Sequence, residues 1–287
     1  MTIAAGFRFA EGILICADTE ISYGAELKTR GSKVFPYSFR NSDTKLIFTF
    51  SGDVAYSKMC IQGMARAVAV LVPKAWSVAG IYDALKDELF RFHGKYIFTH
   101  PRHQYGDGPQ VNLIIGTWCA EEKRLTLYES SEAALTEVSN SEPVAITGTG
   151  STFSRYITRP LIPHEHMPLA DVLTVAVYAL KEAKDNVPGC GKASELITLS
   201  SIGEIGSLGW LHSADVETFA DSFAAGIRHL FVETCDLSVP DEQLKSRFDM
   251  LWAIMQSTRS YLRRERQKDM GFPALIEHMV KRKTTEL

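Results

Sequence analysis

Three residues near the start of the chain, Thr2, Asp18 and Lys33, are of types that together can turn a hydroxyl group into a nucleophile. Thr2 directly follows Met1, and its small side chain is expected to let an aminopeptidase remove that methionine. A threonine with a free α-amine carries both a nucleophile and a base. The hydroxyl attacks while the amine, whose ordinary pKa is about 7.7–8, accepts the proton directly or through a water. A lysine close to the hydroxyl would lower its pKa, and an aspartate beside that lysine would fix its orientation and balance its charge.

The elements that must position these groups are readable locally. Ile3 to Phe9 and Ile13 to Ala17 are apolar enough for strands, and Ala10-Glu11-Gly12 is a short turn between them. A hairpin pairing residues whose numbers sum to about 21 or 22 puts position 2 opposite positions 19 and 20 and Asp18 beside the amine. Lys33-Val34-Phe35 starts another strand after a Gly-Ser turn, following a loop over Ser22–Gly31. Lys45 to Phe50 reads as a buried strand ending in Ser51-Gly52-Asp53. Helical spacing then runs from Val54 to about Val72 and from Trp76 to about Phe92, with Pro73 between them.

His93 to Gln110 reads as a polar loop with His93, His100, His103 and Gly106-Asp107-Gly108. His100-x-x-His103 could begin a metal site, but no cysteine or carboxylate is arranged to complete the shell, and a solvated loop is the expectation. Val111 to Gly116 and Leu125 to Glu129 form a strand pair joined by Ala120-Glu121-Glu122-Lys123. Val144 to Thr147 leads into Gly148-Thr149-Gly150, which lacks the lysine of a P-loop and the third glycine of a dinucleotide fingerprint. His164 and His166 flank Glu165 in a proline-bounded surface loop. A helix follows from about Pro168 to Asp185, with its stripe at Leu169, Leu173, Ala176 and Leu180. Ser194 to Leu199 reads as the last strand of the core. The order is strands, two helices, strands, two helices and a tail.

Together these features resemble β-type proteasome subunits and the simpler bacterial proteasome-like peptidases, members of the N-terminal-nucleophile (Ntn) hydrolase superfamily. In that family the nucleophilic threonine, an aspartate after an Ala-Ala or Cys-Ala step and a lysine at a strand start take the places of Thr2, Asp18 and Lys33. Thr2 to Asp18 matches the family spacing, and Asp18 to Lys33 is one residue shorter, a difference the Ser22–Gly31 loop can absorb. Gly52 stands where the family has a strand-to-helix glycine whose N–H binds the oxyanion. That role suits a helix N-terminus, although a turn glycine needs no function. Thr149 stands for the serine of a Gly-Ser-Gly turn that assists the threonine amine. Asp185 and Gly189 match the family's aspartate and glycine, but Pro188 replaces the serine between them, and proline offers neither a side-chain donor nor a backbone N–H.

The resemblance covers roughly residues 2–205 and implies an α+β fold, the four-layer αββα sandwich of Ntn hydrolases. With it come threonine-type hydrolysis of peptide bonds in peptides or unfolded protein, no metal or organic cofactor, and homo-oligomeric rings or stacked rings, compatible with an ATP-dependent unfoldase partner. A non-catalytic assembly subunit and an amidase for a small amide are the alternatives, the first favoured by Pro188. Residues 1–205 are expected to form this domain and 210–287 a helical extension outside it. In the extension Val216, Phe219, Phe223, Ile227 and Leu230 form one apolar stripe, and Leu244, Phe248, Leu251 and Met255 another, with Pro240 between. Arg263-Arg264-Glu265-Arg266 reads as the solvated end of the second helix, with a basic docking patch as the alternative.

Composition agrees with an ordinary globular protein: 287 residues, 45% hydrophobic and 23% charged, with a net charge of −3 that gives no bias toward nucleic acid or an anionic membrane. No signal peptide or membrane-length apolar run is visible. The five cysteines are scattered, odd in number and without C-x-x-C spacing, pointing to a reducing cytosol and no structural zinc.

Overall fold

The computed structural model describes residues 2–23, 27–39, 42–72, 75–106, 108–162, 166–208, 210–236 and 238–268. They divide into two compact units, residues 1–210 and 211–287. Pro73, Asp107, His164 and Glu165 lie outside the described residues.

The first unit is built on two five-stranded antiparallel sheets. One contains β1 (Ile3–Phe9), β2 (Gly12–Asp18), β10 (Val144–Gly148), β11 (Ser194–Ser200) and β12 (Ile205–Leu208), in the order β10-β1-β2-β11-β12. The other contains β5 (Val34–Ser38), β6 (Lys45–Gly52), β7 (Val111–Cys119), β8 (Arg124–Ser131) and β9 (Ala134–Glu137), in sequence order. The β1–β2 hairpin pairs Ala4 with Ala17 and Gly6 with Ile15, the register summing to 21. Both sheets are covered on both faces, so their strands read as continuous apolar runs rather than alternating ones. Ala4, Ile13, Ile15 and Ala17 meet Ile47, Ile114 and Leu127 between the sheets.

Two helices, α1 (Val54–Ala69) and α2 (Val78–Phe92), press Ile61, Met64, Leu85 and Leu89 onto the outer side of the second sheet, against Phe48, Phe50 and Ile115. Each of these fully buried side chains contributes about 1.5–3 kcal/mol. On the outer side of the first sheet lie α3 (Ser151–Thr158) and α4 (Leu169–Asn186), which contact β10 and β1–β2 respectively. Leu169, Leu173, Ala176 and Leu180 of α4 are all buried. The layers are therefore α, β, β, α.

Several local expectations are revised. The described residues of the Ser22–Gly31 stretch are largely strand: β3 (Glu20–Tyr23) and β4 (Leu27–Arg30) pair as an antiparallel hairpin, with Glu20 opposite Arg30. β11 is not the last strand, because β12 adds to its edge. His93 is not in a solvated loop. Residues His93–Ile97 continue α2 as a π-helical turn, closed by the Phe98 N–H bonding to the His93 carbonyl at 2.9 Å, and His93 is 1% exposed. The apolar neighbours Phe92 and Ile97, both buried, draw the turn inward. His166, by contrast, is exposed.

The second unit holds α5 (Trp210–Thr234) and α6 (Asp241–Lys268). Gly226 of α5 faces Leu251 of α6, and Arg247 pairs with Glu233 at 2.5 Å. Val216 and Leu251 are buried, whereas Ile227 and Phe248 of the same stripes are exposed, as are Phe231, Met250 and Trp252. Among the described residues, no helix is long and apolar enough to cross a membrane.

Candidate active site

Thr2, Asp18 and Lys33 come together at one end of the sandwich, and all three are buried. The hairpin register makes Asp18, the last residue of β2, the neighbour of the residues that begin β1. Its Oδ1 accepts the Thr2 hydroxyl at 2.5 Å and the Ile3 N–H at 3.0 Å. Lys33 enters from the other sheet, one residue before β5. Its Nζ donates to Asp18 Oδ1 at 2.8 Å and also to Thr2 Oγ1. The remaining lone pairs of Asp18 are met by backbone, its Oδ2 accepting from Gly191 at 3.1 Å and Glu20 at 3.3 Å. Both oxygens of this buried carboxyl group thus have hydrogen-bond partners, as a buried polar group requires.

Lys33 is aimed by a residue that local reading of the sequence misses. Glu195, on β11, accepts from the backbone N–H of Lys33 at 3.1 Å and of Val34 at 3.3 Å, and from the Ser32 hydroxyl. Gly191 is the second such residue. Both follow from β11 pairing with β2, where Ser194 lies opposite Asp18. That contact spans more than 170 residues and has no local signal. Cys190 is buried next to these groups, and burial, with the negative charge of Asp18, pushes its thiol up to about 11.

Thr2 opens onto a cavity of about 1020 Å³ that Gly52 and Thr149 also line. Gly52 ends β6 just before α1, whose first amides are capped by the Asp53 carboxylate at 3.0 and 3.1 Å. Its φ of +104° and the Gln110 carbonyl, 2.1 Å from where a Cβ would stand, leave room for glycine alone. Gly148 (φ +103°) is constrained in the same way by the carbonyl of Thr2 itself, 2.2 Å from a would-be Cβ. Ser51 and Thr147 share a buried hydrogen bond of 2.8 Å at the base of the cavity.

Thr149 is exposed in that cavity, and among the described residues no hydrogen bond joins its hydroxyl to Thr2. Asp185 is not brought to the centre. It is exposed near the end of α4, where its carboxylate accepts from Lys181 at 2.5 Å. Pro188 is exposed too, and the segment reaches Asp18 through the backbone of Gly191 instead. Among the described residues, no three His, Cys, Asp or Glu side chains converge as a metal site.

A two-sheet sandwich closed by helices on both sides is a four-layer αββα fold of the proteasome-like kind, and the Thr2, Asp18 and Lys33 side chains meet at one end of it. The chain is similar to Anbu from Yersinia bercovieri, an ancestral beta-subunit (TM-score 0.64, 14% identity, 80% of this chain and 97% of that one). It is similar also to an Anbu mutant from Hyphomicrobium sp. strain MC1 (0.64, 13%, 81% and 97%) and to the helical assembly of the Anbu complex from Pseudomonas aeruginosa (0.63, 14%, 84% and 99%). These likenesses establish the fold. No protein-family model matches the chain, nor does any curated protein.

Proposed function

We propose that this protein is a threonine-type hydrolase of peptide bonds that works in a self-assembled complex. The observation that carries this reading is the mutual hydrogen bonding of Thr2, Asp18 and Lys33 at the head of a cavity large enough for a peptide. Once the Thr2 amine is free, it takes the hydroxyl proton, directly or through a water, as Oγ1 attacks the carbonyl carbon. The Lys33 ammonium, held by Asp18, stabilises negative charge on Oγ1, and the Gly52 N–H stabilises the carbonyl oxygen as it becomes an oxyanion. Collapse expels the amine product with the proton held by the Thr2 ammonium and leaves an ester on Thr2. A water then attacks the ester, giving a proton to the amine, and the ester C–O bond breaks to release the carboxylic product and restore the hydroxyl.

Assembly into an oligomer is supported by two facts. The structurally similar Anbu complex of Pseudomonas aeruginosa forms a helical assembly, and α5 and α6 leave apolar side chains such as Phe231 and Trp252 exposed. The placement of Pro188, Asp185 and Thr149 away from hydrogen bonding with Thr2 favours a second reading, an assembly subunit without turnover. One experiment separates the two: intact-mass analysis with a peptidyl epoxyketone, which needs both a hydroxyl and a free amine on one residue. The hydrolase reading expects a chain beginning at Thr2 and stoichiometric labelling there. A chain beginning at Thr2 that stays unlabelled in its assembled form would leave the second reading standing.

A further inference from the structure

Next to the nucleophile's cleft lies a smaller cavity of about 400 Å³. Gly108, Pro109, Gln110, Asn112 and Ser131 line both spaces, so the two adjoin across a shared wall. Three departures from low-energy structure converge on the smaller one. His93, which lines it, is 1% exposed, yet neither of its ring nitrogens has a hydrogen-bond partner among the described residues. A buried polar group left unpaired costs about 1–3 kcal/mol and calls for an explanation. The π-helical turn that begins at His93 is a rare backbone form that recurs at functional sites. Opposite it, Glu132 sits at φ +51°, a left-handed conformation costly for a residue with a side chain.

The chemistry of the lining identifies what it would take. Glu132 is the one formally charged side chain among the described lining residues; it is exposed, with no cation pairing it among them. Burial lowers the His93 pKa, against the pull of the Glu132 charge, so the ring is held neutral with a lone pair to offer and does not repel a cation. The Phe98 ring, 5.6 Å from His93 and 5.3 Å from His103, holds the imidazole in place. Ile97, Phe98 and Val111 provide an apolar wall. A wall of this kind with an acceptor-rich, negatively charged end matches a long aliphatic stem with a cationic tip.

We propose that this cavity is a specificity pocket for a lysine or arginine side chain of the substrate, its stem against Ile97, Phe98 and Val111 and its cation between Glu132 and His93. The proposal rests on the reading of the adjoining cleft as the site of Thr2 chemistry, and it names the substrate feature that cleft selects. The test uses full-length Thr2→Ala protein and fluorescein-labelled alanine octapeptides in which one position at a time carries lysine, arginine or norleucine, titrated by fluorescence anisotropy. We expect one position at which lysine or arginine binds about tenfold tighter than norleucine, the equivalent of one charge-assisted hydrogen bond. Adding Glu132→Gln should erase that preference while norleucine binding stays unchanged, and His93→Leu should reduce it. No position with a preference, or a preference that survives Glu132→Gln, overturns the pocket. Binding here does not need turnover. A preference erased by Glu132→Gln, with no cleavage of the same peptides by protein carrying Thr2, removes the hydrolase reading and keeps the pocket. Cleavage without the preference does the reverse.

Discussion

Replacing Lys33 with methionine keeps most of the aliphatic stem and removes the ammonium, which isolates the electrostatics at the centre of the site. Lys33 and Asp18 are 1% and 0% exposed, with Nζ 2.8 Å from Oδ1. Removing one partner of such a buried pair costs about 3–5 kcal/mol, because the other charge is left uncompensated. One consideration places the value at the lower end: Asp18 keeps four donors, from Thr2, Ile3, Glu20 and Gly191.

The expectation is therefore about 3 kcal/mol at pH 7, or a fall in Tm of about 6–12 °C for a unit of this size. Melting curves followed by circular dichroism at pH 7 read the value, and a variant that melts like wild type refutes the reasoning. Peptide turnover should be lost.

Three further outcomes follow. Gly52→Ala should cost at least about 2 kcal/mol and abolish epoxyketone labelling of Thr2, since its φ of +104° and the Gln110 carbonyl at 2.1 Å leave no place for a methyl group; a variant melting and labelling like wild type would contradict this geometry. A chain ending at residue 208 should lose subunits in light scattering, because the exposed apolar residues of α5 and α6 go with the tail, and an unchanged subunit count would deny them that role. With maleimide at pH 8, native protein should label at Cys235 alone. Cys16, Cys60, Cys119 and Cys190 are buried, and burial raises the Cys16 thiol and pushes the Cys60 thiol up to about 12. Denatured protein should label at all five, and a second label on the native chain would show an opening at one of these sites.

The parts of this molecule that could be read from sequence are those set by short-range geometry. A two-residue turn, Ala10-Glu11, between two apolar runs fixes the β1–β2 register and thereby the nearness of Thr2 and Asp18. The periodicity of Leu169, Leu173, Ala176 and Leu180 fixes the buried face of α4. What escaped reading depends on partners distant in the chain. Glu195 and Gly191 reach the centre only because β11 lies beside β2, and nothing in a window around either residue says so. The β3–β4 hairpin was hidden because its strands are four residues each. His93 looked solvated among polar neighbours, and only the continuation of α2 into a wider turn explains its burial. Asp185 matched a motif by spacing, yet its place on α4 turns it toward Lys181 and water.

Thr2 and Asp18 stand at the ends of strands of one sheet, while Lys33 precedes the first strand of the other and Gly52 ends its second. No half of the sandwich contains all four groups. If Thr2 is the nucleophile proposed above, a nascent or partly folded chain, even one with both hairpins formed, stays chemically silent until the layers close. A hydrolase built this way would be safe to make in the company of other unfolded chains, because competence arrives with the last step of its own maturation.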